Sequence, residues 1–233
     1  MAESPWSSLS NLVDTRKNPD DIAPEAADNI LLAWPPMLKA IHALQPHPQG
    51  LKALDFGCGT GGLCHKLSTQ GYSVVGVDTS SGMLEKAKQQ LPSLTFSPTL
   101  PTSATFNLIT SVMVFQFIED IHSTLNALNA LLQPGGVLAF AVFNPEFMYR
   151  NSGPDKLFQH ISPTSAHGTM IPAFKIPVVA RSFDEYNTLL PHLNYTLVLK
   201  AEPPFTEDFL AKYPFEDDTS APEFLVCVYQ KTA

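Results

Sequence analysis

The chain has few of the features that mark secreted, metal-binding or nucleic-acid-binding proteins. Its 233 residues include only 3 cysteines, and 14 lysines and arginines against 22 aspartates and glutamates, for a net charge of −8. Without a basic face, a nucleic-acid partner is not expected. Cysteines this sparse fit neither a disulfide framework nor a zinc site, so we expect a cytoplasmic protein that binds no metal.

Long apolar runs and an apolar leader are also missing. The run from residue 138 to 143 is too short to span a bilayer. Residues 1–10 lack a basic start followed by an apolar stretch, so no secretion signal is expected. These two observations predict a protein without a membrane partner.

Proline is absent from the region between Leu51 and Leu91, although the chain contains 21 prolines. Because proline breaks helices and central strands, regular structure should be most continuous there. Apolar segments alternate with helical patterns from this region up to Phe143, which predicts an α/β fold with a parallel sheet covered on both faces. The predicted strands are 51–56, 72–78, 94–97, 106–115 and 137–143, and the predicted helices include 63–70, one capped by Ser80 or Ser81, and 118–132.

The pattern loosens after Asn144, where ten prolines fall between Pro145 and Pro222. A helix is predicted at 183–190, and strands are predicted at 195–200 and 224–231. We interpret residues 1–233 as one domain, with residues 1–45 forming a partly helical N-terminal cap.

A glycine-rich segment, residues 54–62, joins the first predicted strand to the first helix of this region. Gly57, Gly59 and Gly62 satisfy the dinucleotide pattern G-x-G-x-x-G, which is weak by itself. Glycines at such a turn let a ligand approach the backbone closely, and Asp78, at the end of the second predicted strand, can accept hydrogen bonds from ribose hydroxyls. Both NAD(P) and S-adenosylmethionine fit these features. Asp55 favours the second, because a carboxylate repels a pyrophosphate and attracts an ammonium and a sulfonium.

The run Asp55–Gly61 resembles the first motif of class I S-adenosylmethionine-dependent methyltransferases. Four further segments match this family in the same order, and the resemblance covers about residues 50–145. It implies a Rossmann-like three-layer sandwich with a seven-stranded, mostly parallel sheet whose last strand is antiparallel. It also implies methyl transfer from S-adenosylmethionine to a small-molecule acceptor, with S-adenosylhomocysteine as product. The matching segments are Val74–Leu84, Phe106–Ser111, Phe117–Asp120 and Leu131–Gly136.

The resemblance also implies roles for individual residues. Asp55 and Gly57 would hold the amino-acid end of the cofactor, Gly59 would allow its close approach, and Asp78 would bind the ribose with Met83 against the adenine or ribose. Further expected cofactor contacts are Cys58, Thr79, Pro98, Thr99 and Ser111.

Substrate contacts are expected from the second half of the chain, where residues 145–192 form an insert that roofs the substrate in this family. The acceptor atom, the substrate and the oligomeric state stay open. We assign no catalytic residue, because a sulfonium already activates its methyl group. Two alternatives stay open, an NAD(P)-dependent oxidoreductase and a catalytically silent partner protein that binds the same cofactor. The candidate substrate contacts are Tyr149, His167, Arg181 and Glu202.

Overall fold

The computed structural model describes residues 6–7, 24–170 and 175–232, and all side chains in these ranges except those of residues 24 and 25. Most of the expected N-terminal cap before residue 24 therefore lies outside the described residues. The helices are α1 Pro24–Asp28, α2 Trp34–Leu44, α3 Gly62–Thr69, α4 Ser81–Gln90, α5 Ile121–Leu131, α6 Pro145–Arg150, α7 Phe183–Leu189 and α8 Glu207–Lys212. A π-helical turn, Asn29–Ala33, joins α1 to α2.

Ten strands in the described residues form two sheets. The strands are β1 Lys52–Phe56, β2 Ser73–Val77, β3 Thr95–Ser97, β4 Phe106–Val112, β5 Leu132–Phe143, β6 Phe158–Gln159, β7 His167–Met170, β8 Ile176–Val179, β9 Tyr195–Ala201 and β10 Phe224–Lys231. The large sheet has the order β3-β2-β1-β4-β5-β10-β9. Strands β1 to β5 are mutually parallel, and β10 is antiparallel to both of its neighbours. The predicted seven-stranded fold is confirmed, including the antiparallel last strand.

The two faces of the large sheet are covered by separate cores, because successive strand residues point in opposite directions. Ala53 packs with α2, α3 and α4, whereas the next residue, Leu54, packs with α5 and α7. The same alternation holds for Leu108 and Ile109 on β4. This layering leaves the carboxyl ends of β1, β2, β4 and β5 along one edge, where ligands bind in open α/β sheets.

Residues 145–192 contain structure that the sequence pattern did not predict. Strands β6, β7 and β8 pair antiparallel as a small separate sheet. It packs with α6 and the end of β5 in a third apolar core that includes Phe143, Phe147 and Phe158. None of the helices in the described residues has the length and apolar character needed to cross a membrane.

Three predicted boundaries were wrong by three residues or more. Strand β4 ends at Val112 and not at Phe115, because Met113 adopts a positive φ of 60° and a short 3₁₀ turn follows. Helix α5 begins at Ile121 and not at residue 118, because the Asp120 side chain caps it through the Ser123 amide. Strand β5 begins at Leu132 and not at residue 137. Its pairing with β4 shifts register between Phe106 and Leu108, opposite the Pro-Gly-Gly segment of β5.

Candidate cofactor and substrate site

The glycine loop between β1 and α3 is held against the end of β2. The amides of Gly57 and Cys58 both donate to the carbonyl oxygen of Val77, at 2.7 and 2.9 Å. Gly57 and Gly59 have positive φ angles of 76° and 51°, which side chains tolerate poorly. A Cβ at Gly57 would overlap the Val114 side chain, whereas one at Gly59 would meet no atom within 4 Å. The loop is therefore packed at its first glycine and open at its second.

Asp78 lies across the mouth of this loop. Its Oδ2 accepts a hydrogen bond from the Gly59 amide at 2.9 Å, and its Oδ1 accepts one from the Ser80 amide at 2.8 Å. Burial raises the pKa of Asp78, although these backbone hydrogen bonds oppose the shift. The residue is partly exposed, so its carboxylate is fixed in direction and still within reach of a ligand.

Asp55 occupies a different position, beneath the loop. It is 2% exposed, and its two oxygens accept hydrogen bonds from Thr110 Oγ1 at 2.8 Å and Cys64 Sγ at 3.3 Å. Burial raises the pKa of Asp55 to about 6, and the nearby charge of Asp78 adds to the shift. Both oxygens of Asp55 are thus hydrogen-bonded to other residues of the protein. Its negative charge lies beneath the glycine loop and contributes to the electrostatic potential there. Sequence reasoning missed both partners, since a sequence pattern does not show which side chains contact a buried carboxylate.

The cysteines of the loop and of α3 are structural thiols. Cys58 is 7% exposed and Cys64 is fully buried. Their hydrogen bond and their burial raise the pKa of Cys64 well above its usual value, which leaves it a poor nucleophile.

The end of β4 carries unsatisfied polar groups. Ser111 is 1% exposed, and its Oγ has no hydrogen-bond partner among the described residues. The same holds for Oε1 of the buried Gln116. Between them, Met113 has the left-handed backbone noted above, a conformation that is costly for a non-glycine residue and tends to occur at functional sites. Buried polar atoms without partners require an explanation, and a bound ligand would supply one.

The remaining expected cofactor contacts border the same edge. Met83 is 4% exposed and packs in the third core with Phe143. Thr79, Pro98 and Thr99 are exposed just after β2 and β3. The structure therefore brings the expected cofactor residues to neighbouring strand ends.

Two described residues of the N-terminal cap lie over the loop after β2. The Ser7 hydroxyl is 3.1 Å from that of Ser80, and the ring of Trp6 lies edge-on to that of Phe117 at 4.8 Å. Residues 6 and 7 thus cover the carboxyl ends of β2 and β4.

The structure argues against two of the four candidate substrate contacts. Arg181 is buried, and its guanidinium donates to the carbonyl oxygens of Phe115, Ile118 and Glu119 at 2.9, 2.6 and 2.8 Å. These three bonds commit the guanidinium to backbone acceptors. Glu202 lies at the end of the edge strand β9 and forms an exposed ion pair with Lys200 at 2.9 Å.

The other two candidates differ in exposure. Tyr149 is half-buried on α6 and packs against the third core. His167 begins β7, and its imidazole is 3.6 Å from the Glu119 carboxylate, with 67% of its side chain exposed. Tyr149 is therefore the better placed of the two. Among the described residues, no three His, Cys, Asp or Glu side chains are arranged to hold a metal ion.

An acid fixed across a glycine turn, at the carboxyl ends of a doubly covered parallel sheet, defines a nucleoside-binding α/β protein. Comparison with protein families narrows this class. Residues 27–187 match the model of a methyltransferase domain. The chain therefore belongs to this methyltransferase family, as the order of its motifs predicted.

Individual relatives are more distant. Over 109 residues the chain is 29% identical to a ubiquinone biosynthesis O-methyltransferase of Brucella ovis, a match covering 42% of this chain and 44% of that protein. The match thus spans less than half of that curated relative. Two solved structures share the fold. An S-adenosylmethionine-dependent methyltransferase of Mesorhizobium loti has a TM-score of 0.65 at 21% identity, covering 83% of this chain and 96% of that one. The magnesium protoporphyrin IX methyltransferase of Synechocystis, solved with bound S-adenosylmethionine, has a TM-score of 0.59 at 12% identity, covering 97% and 90%.

Proposed function

We propose that the chain binds S-adenosylmethionine at the carboxyl ends of β1, β2 and β4 and transfers its methyl group to a small-molecule acceptor, releasing S-adenosylhomocysteine. The observation that carries this proposal is the fixed carboxylate of Asp78 across the open backbone at Gly59. A carboxylate there accepts ribose hydroxyls, and an uncovered glycine lets the ligand chain pass. Membership of the methyltransferase family distinguishes this function from NAD(P)-dependent oxidation.

We assign different groups of residues to different parts of the cofactor. In this proposal Asp78 binds the ribose, Thr79, Met83, Pro98 and Thr99 flank the adenosine, and Gly57, Cys58 and Gly59 line the path of the methionine chain. Ser111 donates its unpaired hydroxyl to the ligand. Asp55 attracts the cationic end of the cofactor through its field, because its oxygens are bonded to Thr110 and Cys64.

Methyl transfer from a sulfonium requires little catalysis by protein side chains. When bound, S-adenosylmethionine supplies a methyl group already activated by a sulfonium. The protein must place the acceptor in line with this group and exclude water. Trp6, Phe117 and the third core provide an apolar cover for that purpose.

The remaining parts of the proposal concern the whole chain. We infer one domain over residues 1–233, in which residues 1–45 cap the cofactor and residues 145–192 roof the acceptor, with Tyr149 in that roof. The Brucella relative is named as an O-methyltransferase of ubiquinone biosynthesis, which supports a small-molecule acceptor for this chain, and we assign no acceptor atom. The negative net charge of −8 supports a partner other than nucleic acid, and the sparse cysteines support a cytoplasmic location.

Turnover tests the proposal directly. The purified protein should convert S-adenosylmethionine to S-adenosylhomocysteine when it is offered a panel of phenols, amines and carboxylic acids, with product detected by mass spectrometry. Asp78→Asn should lower turnover at subsaturating S-adenosylmethionine, and a cooperative melting curve should show that the variant is still folded. Binding of S-adenosylhomocysteine without turnover on any acceptor would favour the silent partner protein, and absence of both would overturn the proposal.

A further inference from the structure

One buried amide after the end of β4 has no part in the cofactor contacts proposed above. Gln116 is the middle residue of the 3₁₀ turn Phe115–Phe117, and it is 1% exposed. Its Nε2 donates a hydrogen bond to Met113 Sδ at 3.7 Å, whereas its Oε1 has no hydrogen-bond partner among the described residues. A buried amide oxygen without a partner is costly, and an O–H or N–H of a ligand would satisfy it.

The segment that carries this amide lies against the glycine loop. A Cβ at Gly57 would overlap the Val114 side chain, so Val114 sits directly on the first glycine of the loop. In the proposed function this glycine lines the path of the methionine chain, which carries the methyl group. Ser111, whose buried hydroxyl also lacks a partner among the described residues, precedes the same segment on β4. Gln116 is thus close to the proposed position of the transferred methyl group.

The N-terminal cap and the insert both cover the turn. The ring of Phe117 lies edge-on to that of Trp6 at 4.8 Å, and Ser7 contacts Ser80 through their hydroxyls at 3.1 Å. Strand β8 of the insert packs against the turn from the other side. The glycine loop, the cap and the proposed roof of the acceptor therefore meet around Gln116.

Arg181 fixes the backbone on both sides of Gln116. Its guanidinium donates to the carbonyl oxygens of Phe115 at 2.9 Å and Ile118 at 2.6 Å. Because Arg181 follows β8, the insert itself holds the turn in place. A residue that orients a reactant must be held in position before the reactant binds, and the backbone of Gln116 meets this requirement.

The chemistry of an amide limits what Gln116 can do. Its oxygen accepts hydrogen bonds, and it carries no ionisable group. It can therefore orient an acceptor, but it cannot act as a base. A hydroxyl or an amino group has a hydrogen to donate to this oxygen, whereas a carboxylate or a carbanion has none on its nucleophilic atom.

We propose that Gln116 orients the acceptor, with its Oε1 accepting a hydrogen bond from an O–H or N–H group beside the methyl group of bound S-adenosylmethionine. The acceptor is accordingly an alcohol, a phenol or an amine. This proposal rests on the function proposed above and narrows the class of its acceptor. The hydrogen bond fixes the direction of the nucleophilic atom, which in-line transfer requires.

The test uses sinefungin, in which a carbon bearing an amino group replaces the methylated sulfur of S-adenosylmethionine. Its amino group stands where the methyl group would be, whereas S-adenosylhomocysteine has no group there. Both ligands are titrated calorimetrically into the full chain and its variants. The quantity compared is the ratio of the Kd of S-adenosylhomocysteine to that of sinefungin, because changes elsewhere in the cofactor site cancel in this ratio.

Two variants at the same position should change this ratio in opposite directions. Gln116→Met keeps the length of the side chain and removes its oxygen, so the ratio should fall at least about tenfold. Gln116→Glu keeps an acceptor oxygen and adds a negative charge, so the ratio should rise. Gln133→Met makes the same change near the amino end of β5 and should leave the ratio as it is. A residue that only supports the fold would not produce opposite changes.

The outcomes separate this inference from the proposed function. If S-adenosylhomocysteine does not bind the wild type, the proposed function fails first. If it binds, and Gln116→Met leaves the ratio unchanged or weakens both ligands equally, Gln116 does not face the transferred group and the inference is wrong. Melting curves show whether each variant is folded, and either variant at Gln116 decides the matter should the other unfold. Turnover confined to carboxylates in the acceptor panel would also overturn the inference.

Discussion

Asp78 is the residue on which cofactor recognition depends in this account. Its carboxylate is oriented by two backbone amides, from Gly59 and Ser80. Asp78→Asn keeps the size of the side chain but replaces one acceptor oxygen with a donor and removes the charge. Hydrogen bonds to charged groups contribute about 1.5–3 kcal/mol, so the affinity for S-adenosylhomocysteine should fall about 10- to 150-fold. Calorimetry measures this loss, and an unchanged affinity would exclude Asp78 from the ribose site.

Asp55 should give the protein a measurable pH dependence. Its folded-state pKa of about 6 lies above its ordinary value of 3.8, so the folded state binds the proton more tightly than the unfolded state. The stabilising contribution is present below pH 3.8 and is lost as the pH rises through 6. The full cost of a buried carboxylate is thus present at pH 7.5.

Asp55→Asn removes this cost. The variant should be more stable than the wild type at pH 7.5, by up to about 3 kcal/mol, and the gain should vanish near pH 4. Urea unfolding at several pH values measures the difference. A gain independent of pH would show that Asp55 is not the titrating group.

Residue identities alone could not give the direction in which each side chain points. Asp78 followed from its position after an apolar strand, and the structure places it across the loop. Arg181 and Glu202 had the same kind of support, namely charge near an expected pocket, yet one bonds three carbonyl oxygens and the other lies on the surface.

At the scale of elements, the glycine loop offers a matched pair of variants. Gly57→Ala places a Cβ on the Val114 side chain and requires a positive φ, whereas Gly59→Ala requires a similar φ but meets no atom. A left-handed conformation costs a non-glycine residue roughly 1–2 kcal/mol. Gly57→Ala should therefore lower the unfolding free energy by clearly more than this amount, and Gly59→Ala by about this amount.

The same two variants should differ in binding. Gly59→Ala should weaken S-adenosylhomocysteine binding at least about tenfold because its new methyl group occupies the open side of the loop. Melting curves and calorimetry on both proteins give the comparison. Full binding by Gly59→Ala would show that the ligand does not pass this residue.

Elements with long apolar patterns were predictable, and short ones were not. Strand β10 has the predicted bounds, because eight mostly apolar residues can form a buried strand over their whole length. Strands β6, β7 and β8 have two to four residues each and lie in a proline-rich region. Such short strands are defined by their pairing partners, which a local pattern does not reveal.

At the scale of the whole molecule, Arg181 joins the insert to the sheet. It follows β8, and its three hydrogen bonds reach the segment between β4 and α5. Arg181→Ala leaves these carbonyl oxygens without their donor, which should destabilise the protein by about 3–5 kcal/mol. Affinity for S-adenosylhomocysteine should change less than about threefold. If Arg181→Ala left the stability unchanged but lost acceptor binding, Arg181 would instead be a substrate contact.

The central claim is that the acid-lined edge of the sheet binds a methyl-donor nucleoside and not a dinucleotide. Calorimetric titration of the purified chain with S-adenosylhomocysteine and, separately, with NAD tests it most directly. The account predicts saturable, one-to-one binding of S-adenosylhomocysteine at micromolar concentrations and no heat of binding with NAD. Binding of NAD, or no binding of S-adenosylhomocysteine at millimolar concentrations, would contradict the account.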